Sequence, residues 1–171
     1  MPEHIRPFSD LQLDGEPLLY GAPGGVAGNR TDLDLPQDGI LLIDDNEDDA
    51  ELSLRCLHKL GLDVPIIWLS DSAQAIDKLE NVSRKRELPR LILLDLKMPR
   101  VNGLEVLKRL RAKPRLEGVA VIVMVSSSRD PEVGHCLGAG ANSYVVKPLR
   151  SETFFAACER ALLNWPDSQQ S

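Results

Sequence analysis

No apolar run in these 171 residues approaches the ~20 that a bilayer-spanning helix requires. The opening stretch, MPEHIRPFSD, has acid and proline where a secretory leader would place basic residues and then an apolar block. Both absences point to a cytoplasmic chain with no membrane partner. Cysteine is scarce: Cys56, Cys136 and Cys158 are widely spaced and form no metal-ligand pattern. Cys56 and Cys158 lie in apolar-patterned segments, where a thiol acts as a small buried hydrophobe. An excess of positive charge is missing too. The formal net charge is −6, which excludes a nucleic-acid binder that works by bulk charge.

The charge that is present lies unevenly. Residues 1–38 hold seven acids and two arginines, whereas residues 39–171 carry a net charge of −1. The same N-terminal stretch contains five prolines and five glycines, a composition that buries too little apolar surface to offset its ordering entropy. Residues 1–38 are expected to be an extension. It is either a flexible tail or, through FSDLQLDGEPLLY at 8–20, an arm packed on the domain, on a second copy or on a partner. Residues 39–165 are expected to form the domain and 166–171 a short tail, with no output domain following.

From residue 39 short aliphatic runs alternate with amphipathic segments. ILLI (40–43), VPIIWLSD (64–71), RLILLDL (90–96), VAVIVMVS (119–126) and SYVVK (143–147) read as strands. Helices are expected over 49–61 (Leu52, Leu54, Cys56, Leu57, Leu60), over 72–82 (Ala73, Ile76, Leu79, with Ser72 as cap) and over 102–112 (Leu104, Leu107, Leu110, capped by Asn102). A last helix over 151–165 is expected to bury Phe154, Phe155, Cys158 and Leu162. Between strands four and five, three glycines weaken any helix. Near-continuous apolar strands followed by helices imply a doubly wound α/β fold, with a parallel sheet covered on both faces.

In such a sheet the active crevice lies beyond the carboxyl ends of the strands. Asp44 and Asp45 end strand one, Asp95 ends strand three, Ser126 strand four and Lys147 strand five. Carboxylates with open coordination positions suit Mg²⁺ (or Mn²⁺), which keeps several waters and shares phosphate oxygens. That cation would relieve the repulsion within IDDNEDDAE at 43–51. Asp95 could then serve as nucleophile and form an aspartyl phosphate, with Lys147 and Ser126 on the phosphoryl oxygens.

Three motifs, LLIDDN, LILLDLKMPRVNGLEVLKRLR and GANSYVVKP, resemble the receiver domain of two-component response regulators. Their wording is nearer still to small single-domain regulators of phytochrome-like and hybrid histidine kinases. The resemblance spans 39–165 and implies a five-stranded flavodoxin-like sheet in the order 2-1-3-4-5. It implies that Asp95 is the phosphoacceptor and that Asp44, Asp45, Asp95 and the Lys97 backbone carbonyl hold the metal. Lys147 would pair with the phosphoryl group through a cis Lys147–Pro148 bond. Ser126 and Tyr144 take the switch positions. The implied function is phosphotransfer from a histidine kinase, with autodephosphorylation as the only other chemistry. Output is then by protein–protein contact, including a homodimer through strand five and the last helix or through the N-terminal arm.

Two departures accompany the resemblance. The stretch from Ser126 to Gly140 is one residue shorter than usual, and Lys97 stands two residues after the acceptor. That lysine excludes an aspartate-based phosphatase, which needs an acid there. The acid-rich loop after strand one is the electrostatic opposite of a nucleotide-cradling glycine loop. The remaining rival is a scaffold of the same fold that works without phosphorylation. Glu47, Asp48, Asp49 and Glu51 are expected to be helix-start charges and a kinase-facing rim, and Arg109, Arg111, Lys113 and Arg115 a polar helix face.

Overall fold

The computed structural model describes residues 18–20, 35–62, 64–82, 88–98, 101–161 and 163. Expectations for residues 8–17, Arg84 to Arg86, Pro99, Leu162, Trp165 and 166–171 lie outside the described residues. The strands are β1 (Leu18–Tyr20), β2 (Ile40–Ile43), β3 (Ile66–Leu69), β4 (Leu91–Asp95), β5 (Ala120–Val125) and β6 (Ser143–Val146). The helices are α1 (Glu47–Lys59), α2 (Ser72–Glu80), α3 (Gly103–Arg111), α4 (Glu132–Gly138) and α5 (Ser151–Arg160).

Side chains alternate across a strand, and here both faces meet a core. In β4, Ile92 and Leu94 join the cluster formed with α2, α3 and α4, while Leu91 and Leu93 join the one formed with α1 and α5. In β5, Val121 and Val123 face the first cluster and Ile122 and Met124 the second. The aliphatic runs therefore form central parallel strands covered on both sides. The order β3-β2-β4-β5-β6 is parallel throughout, which is 2-1-3-4-5 when these strands alone are counted. A sixth strand, β1, pairs antiparallel with the edge strand β3, with Leu19 opposite Ile67.

Helix faces differ from the periodicity expected at several positions. α1 buries Ala50, Ser53, Leu54 and Leu57, while Leu52 is half exposed. The apolar pattern of this helix is wide enough for two rotations, and the one that seats Ala50 against the sheet leaves Leu52 outside. α2 is capped by Asp71, whose carboxylate accepts from the Ala73 N–H at 2.9 Å. Ser72 is instead buried as the first helical residue, and Ala75 takes the inward place expected of Ala73. α5 buries Phe154 and Cys158 but leaves Phe155 exposed. α4 is only seven residues long, as its glycines lead one to expect.

The parallel arrangement sends β2, β4, β5 and β6 toward one edge, and each ends in or is followed there by a residue of the sequence constellation. At the opposite edge Arg90 grips the Asp38 carboxylate with two hydrogen bonds of 2.8 and 2.6 Å. No helix among the described residues is long and apolar enough to cross a membrane.

Candidate functional site

Asp44 follows β2 and is fully buried. Its backbone N–H continues the β2–β3 ladder by donating to the Leu69 carbonyl. Its Oδ1 accepts from the Asn46 N–H at 3.0 Å and its Oδ2 from the Lys147 ammonium at 3.1 Å. Asp45 is exposed beside it. Asp95, the last residue of β4, keeps a side chain only 7 % exposed and accepts from Lys147 Nζ at 3.0 Å through Oδ1. The Lys97 N–H makes a longer contact with the same oxygen. Asp44, Asp45 and Asp95 each bring a carboxylate oxygen within 4.8 Å of the others.

Burial, and then the charge of Asp95, push the Asp44 carboxyl up to about 7, against the opposing pull of Lys147. The same two causes raise Asp45 above the usual carboxylate range. Burial works against the Lys147 ammonium, but Asp44, Asp49 and Asp95 outweigh it and hold its pKa above the usual lysine value. Three crowded carboxylates, of which Asp44 and Asp45 are raised by burial and by the charge of Asp95, offer the oxygen donors that suit a hard divalent cation, and such a cation would relieve their repulsion. The residues present fit Mg²⁺ or Mn²⁺.

Lys147 lies beyond β6, where its N–H donates to the Val125 carbonyl, and the Lys147–Pro148 peptide is cis, as the resemblance implies. Ser126 is exposed at the end of β5. It lines a shallow cavity of about 440 Å³ with Lys97, Ser127, Arg129, Asp130, Pro131 and Glu132. Lys97 itself is exposed, and its ammonium stands 3.9 Å from the Asp130 carboxylate. Asp130 also accepts from the Glu132 N–H at the start of α4. Tyr144 is half-buried and pairs with Val123 in the sheet. The Arg160 guanidinium lies 5.3 Å from its ring centroid and donates to its carbonyl.

Two residues have roles that their sequence positions do not reveal. The Asp49 carboxylate, expected to be a helix-start charge, lies 3.0 Å from Lys147 Nζ. The sequence pattern puts Arg111 on a polar helix face. Its half-buried guanidinium instead donates to the carbonyls of Gly140, Leu116 and Val119 and to Asn142 Oδ1, tying α3 to the loops at the ends of β5 and β6. The Asp49 contact spans 98 residues and the Arg111 contacts with Gly140 and Asn142 span 29 and 31, so neither leaves a local sequence signal.

The family described as the response regulator receiver domain matches residues 40–159. The probable methanogenesis regulatory protein FilR2 of Methanothrix harundinacea is 36 % identical over 127 residues, covering 74 % of this chain and 82 % of the relative. Among solved structures, the bacteriophytochrome response regulator RtBRR aligns with a TM-score of 0.69 and 36 % identity, covering 80 % of this chain and 83 % of its own. The Mn²⁺-bound form of the response regulator Rcp1 aligns with a TM-score of 0.60 and 28 % identity, covering 75 % of this chain and 99 % of its own.

Proposed function

This chain belongs to the response regulator receiver family, and we propose that it accepts a phosphoryl group on Asp95 from a histidine kinase. Receivers are signalling proteins that work with histidine kinases and are not enzymes in the ordinary sense. The observation that carries the proposal is the meeting, at one sheet edge, of the Asp95 carboxylate, the Lys147 ammonium 3.0 Å away and two further carboxylates.

Asp44, Asp45, Asp95 and the Lys97 carbonyl would hold a divalent ion, which would supply charge neutralisation for an incoming phosphoryl group. An Asp95 oxygen attacks phosphorus, and the bond from phosphorus to the donor histidine nitrogen breaks with its electron pair leaving on that nitrogen. Lys147 exchanges its contact with Asp95 Oδ1 for one with a phosphoryl oxygen. Ser126 donates to another, and Tyr144 follows Ser126 as the switch. Hydrolysis reverses the charge change: water attacks phosphorus and Asp95 leaves as carboxylate. Exposed Lys97 sits beside this path and tunes phosphoryl lifetime.

The rest of the reading follows from the same likeness. Residues 39–165 act as the receiver, 1–38 as an extension and 166–171 as a tail. RtBRR is named for bacteriophytochrome signalling, which supports a phytochrome-like or hybrid kinase as partner, in the cytoplasm. Exposed Phe155 on α5 supports a homodimer through β6 and α5, with the N-terminal extension as the other route. A phosphorylation-independent scaffold would keep the same ion pair for charge balance alone, so phosphorylation itself discriminates the two readings. Incubation with Mg²⁺ and acetyl phosphate, followed by intact mass, tests the reading. One added phosphoryl group on wild type and none on Asp95→Asn is expected; equal addition to both would sink it.

A further inference from the structure

The Lys147 ammonium has three N–H donors and three carboxylates around it. Asp44 Oδ2 lies at 3.1 Å, Asp95 Oδ1 at 3.0 Å and Asp49 Oδ2 at 3.0 Å. These acids come from different elements: the end of β2, the end of β4 and the first turn of α1. Asp49 is the outermost, with its side chain 40 % exposed, while Lys147 is 16 % exposed. Its place is set by the helix start, because Asn46 Oδ1 accepts from the Asp49 N–H at 2.9 Å.

From this geometry we infer that Asp49 is a positioning residue, which together with Asp44 fixes two donors of Lys147 so that the third points at the acceptor oxygen. The inference rests on Asp95 being the phosphoacceptor. When Asp95 becomes an acyl phosphate, only the third donor changes partner, from Asp95 Oδ1 to a phosphoryl oxygen. The other two keep the ammonium in place, so no reorientation of the long lysine side chain is needed during transfer. Without Asp49 the ammonium keeps one fixed partner and can swing about it toward solvent. Asp49 touches no reacting atom; it acts through Lys147.

Asp49→Ala and Asp49→Asn separate position from charge. Both remove the negative charge and keep the backbone N–H that donates to Asn46, but only asparagine keeps an oxygen that accepts from Lys147. The measurement is the phosphorylation rate of the full chain at saturating Mg²⁺ and acetyl phosphate, by intact mass, with the Mg²⁺ dissociation constant of each variant. Asp49→Ala is expected to lower the saturating rate about tenfold, with Asp49→Asn recovering most of it and the two variants sharing one Mg²⁺ affinity. The Lys147 ammonium NMR signal is expected to be sharp in wild type and Asp49→Asn, and averaged in Asp49→Ala. A rate for Asp49→Ala equal to wild type, or equal losses in both variants, would overturn the inference while leaving Asp95 as acceptor. A wild type that takes no phosphoryl group would overturn the acceptor itself.

Discussion

The indole nitrogen of Trp68 donates a 2.8 Å hydrogen bond to the backbone carbonyl oxygen of Asp44. A buried fluorophore on β3 is thereby attached to the residue that carries a proposed metal ligand. The chain has one other tryptophan, Trp165, so Trp165→Phe leaves Trp68 as sole reporter. Mg²⁺ is expected to change its emission saturably. Asp44 is pushed up to about 7 by burial and by Asp95, so the cation must displace a proton below that pH. Apparent affinity then falls toward about tenfold per pH unit on the acid side. A dissociation constant that stays flat between mildly acidic and mildly alkaline buffer would contradict the assignment.

The same carboxyl sets the direction of a stability change. In the folded, metal-free protein Asp44 keeps its proton up to about 7, whereas the unfolded chain releases it near the ordinary value of 3.8. Across that window the native state binds more protons. The contribution of Asp44 to stability is therefore complete below the lower value and lost as pH rises through the upper one. Asp44→Asn removes this loss. At alkaline pH the metal-free variant is expected to melt about 2–4 °C above wild type, the shift that about 1 kcal/mol gives in a chain of this size. Saturating Mg²⁺ should reverse the order, because ligand linkage stabilises only the protein that binds. Calorimetry with and without EDTA checks both arms.

The central sheet was legible because β2, β4 and β5 are buried on both faces and so appear as unbroken aliphatic runs. The carboxylate–lysine cluster was legible for a related reason: Asp44, Asp95 and Lys147 each close or follow a parallel strand at the same sheet edge, so topology brings them together. Other features leave no such mark. β1 is three residues long inside a glycine- and proline-rich stretch, and its antiparallel pairing with the edge strand β3 is set by a segment about fifty residues away. Asp49 looks like any acid in a first helical turn until Lys147 arrives from 98 residues away. Asp71 and Ser72 are both good cap residues, and the sheet packing that buries Ser72 decides between them.

Gly103 opens α3 against the backbone of Asp95 and Leu96. A Cβ there would lie 2.5 Å from the Asp95 carbonyl oxygen and 2.7 Å from Leu96 Cα, both backbone atoms that cannot rotate away. The Gly103 N–H also donates to the Leu96 carbonyl at 2.9 Å, so the two segments cannot simply separate. Gly103→Ala should cost about 1–3 kcal/mol by overpacking and slow phosphorylation by displacing Asp95. Gly118→Ala, with nothing within 4 Å of its Cβ, is the control expected to leave both unchanged. Urea unfolding of the two variants decides; equal midpoints would show that the α3 junction yields more easily than its contacts indicate.

Adjacent phenylalanines on α5 separate folding from assembly. Phe154 is fully buried among the residues joining α5 to the sheet, and Phe155 meets it edge-on with ring centroids 5.7 Å apart. The 43 % exposure of Phe155 gives it little of the core's burial energy. Phe154→Ala should therefore destabilise the domain by about 3–5 kcal/mol. Phe155→Ser should move stability by less than about 1 kcal/mol while weakening self-association, if α5 forms the dimer face. Light scattering over a concentration series reads the second effect. A dimer that survives Phe155→Ser unchanged would move the interface off this helix, toward the N-terminal extension. A wild type that stays monomeric at every concentration would remove the dimer altogether, because an aromatic ring this exposed would then need no partner to explain it.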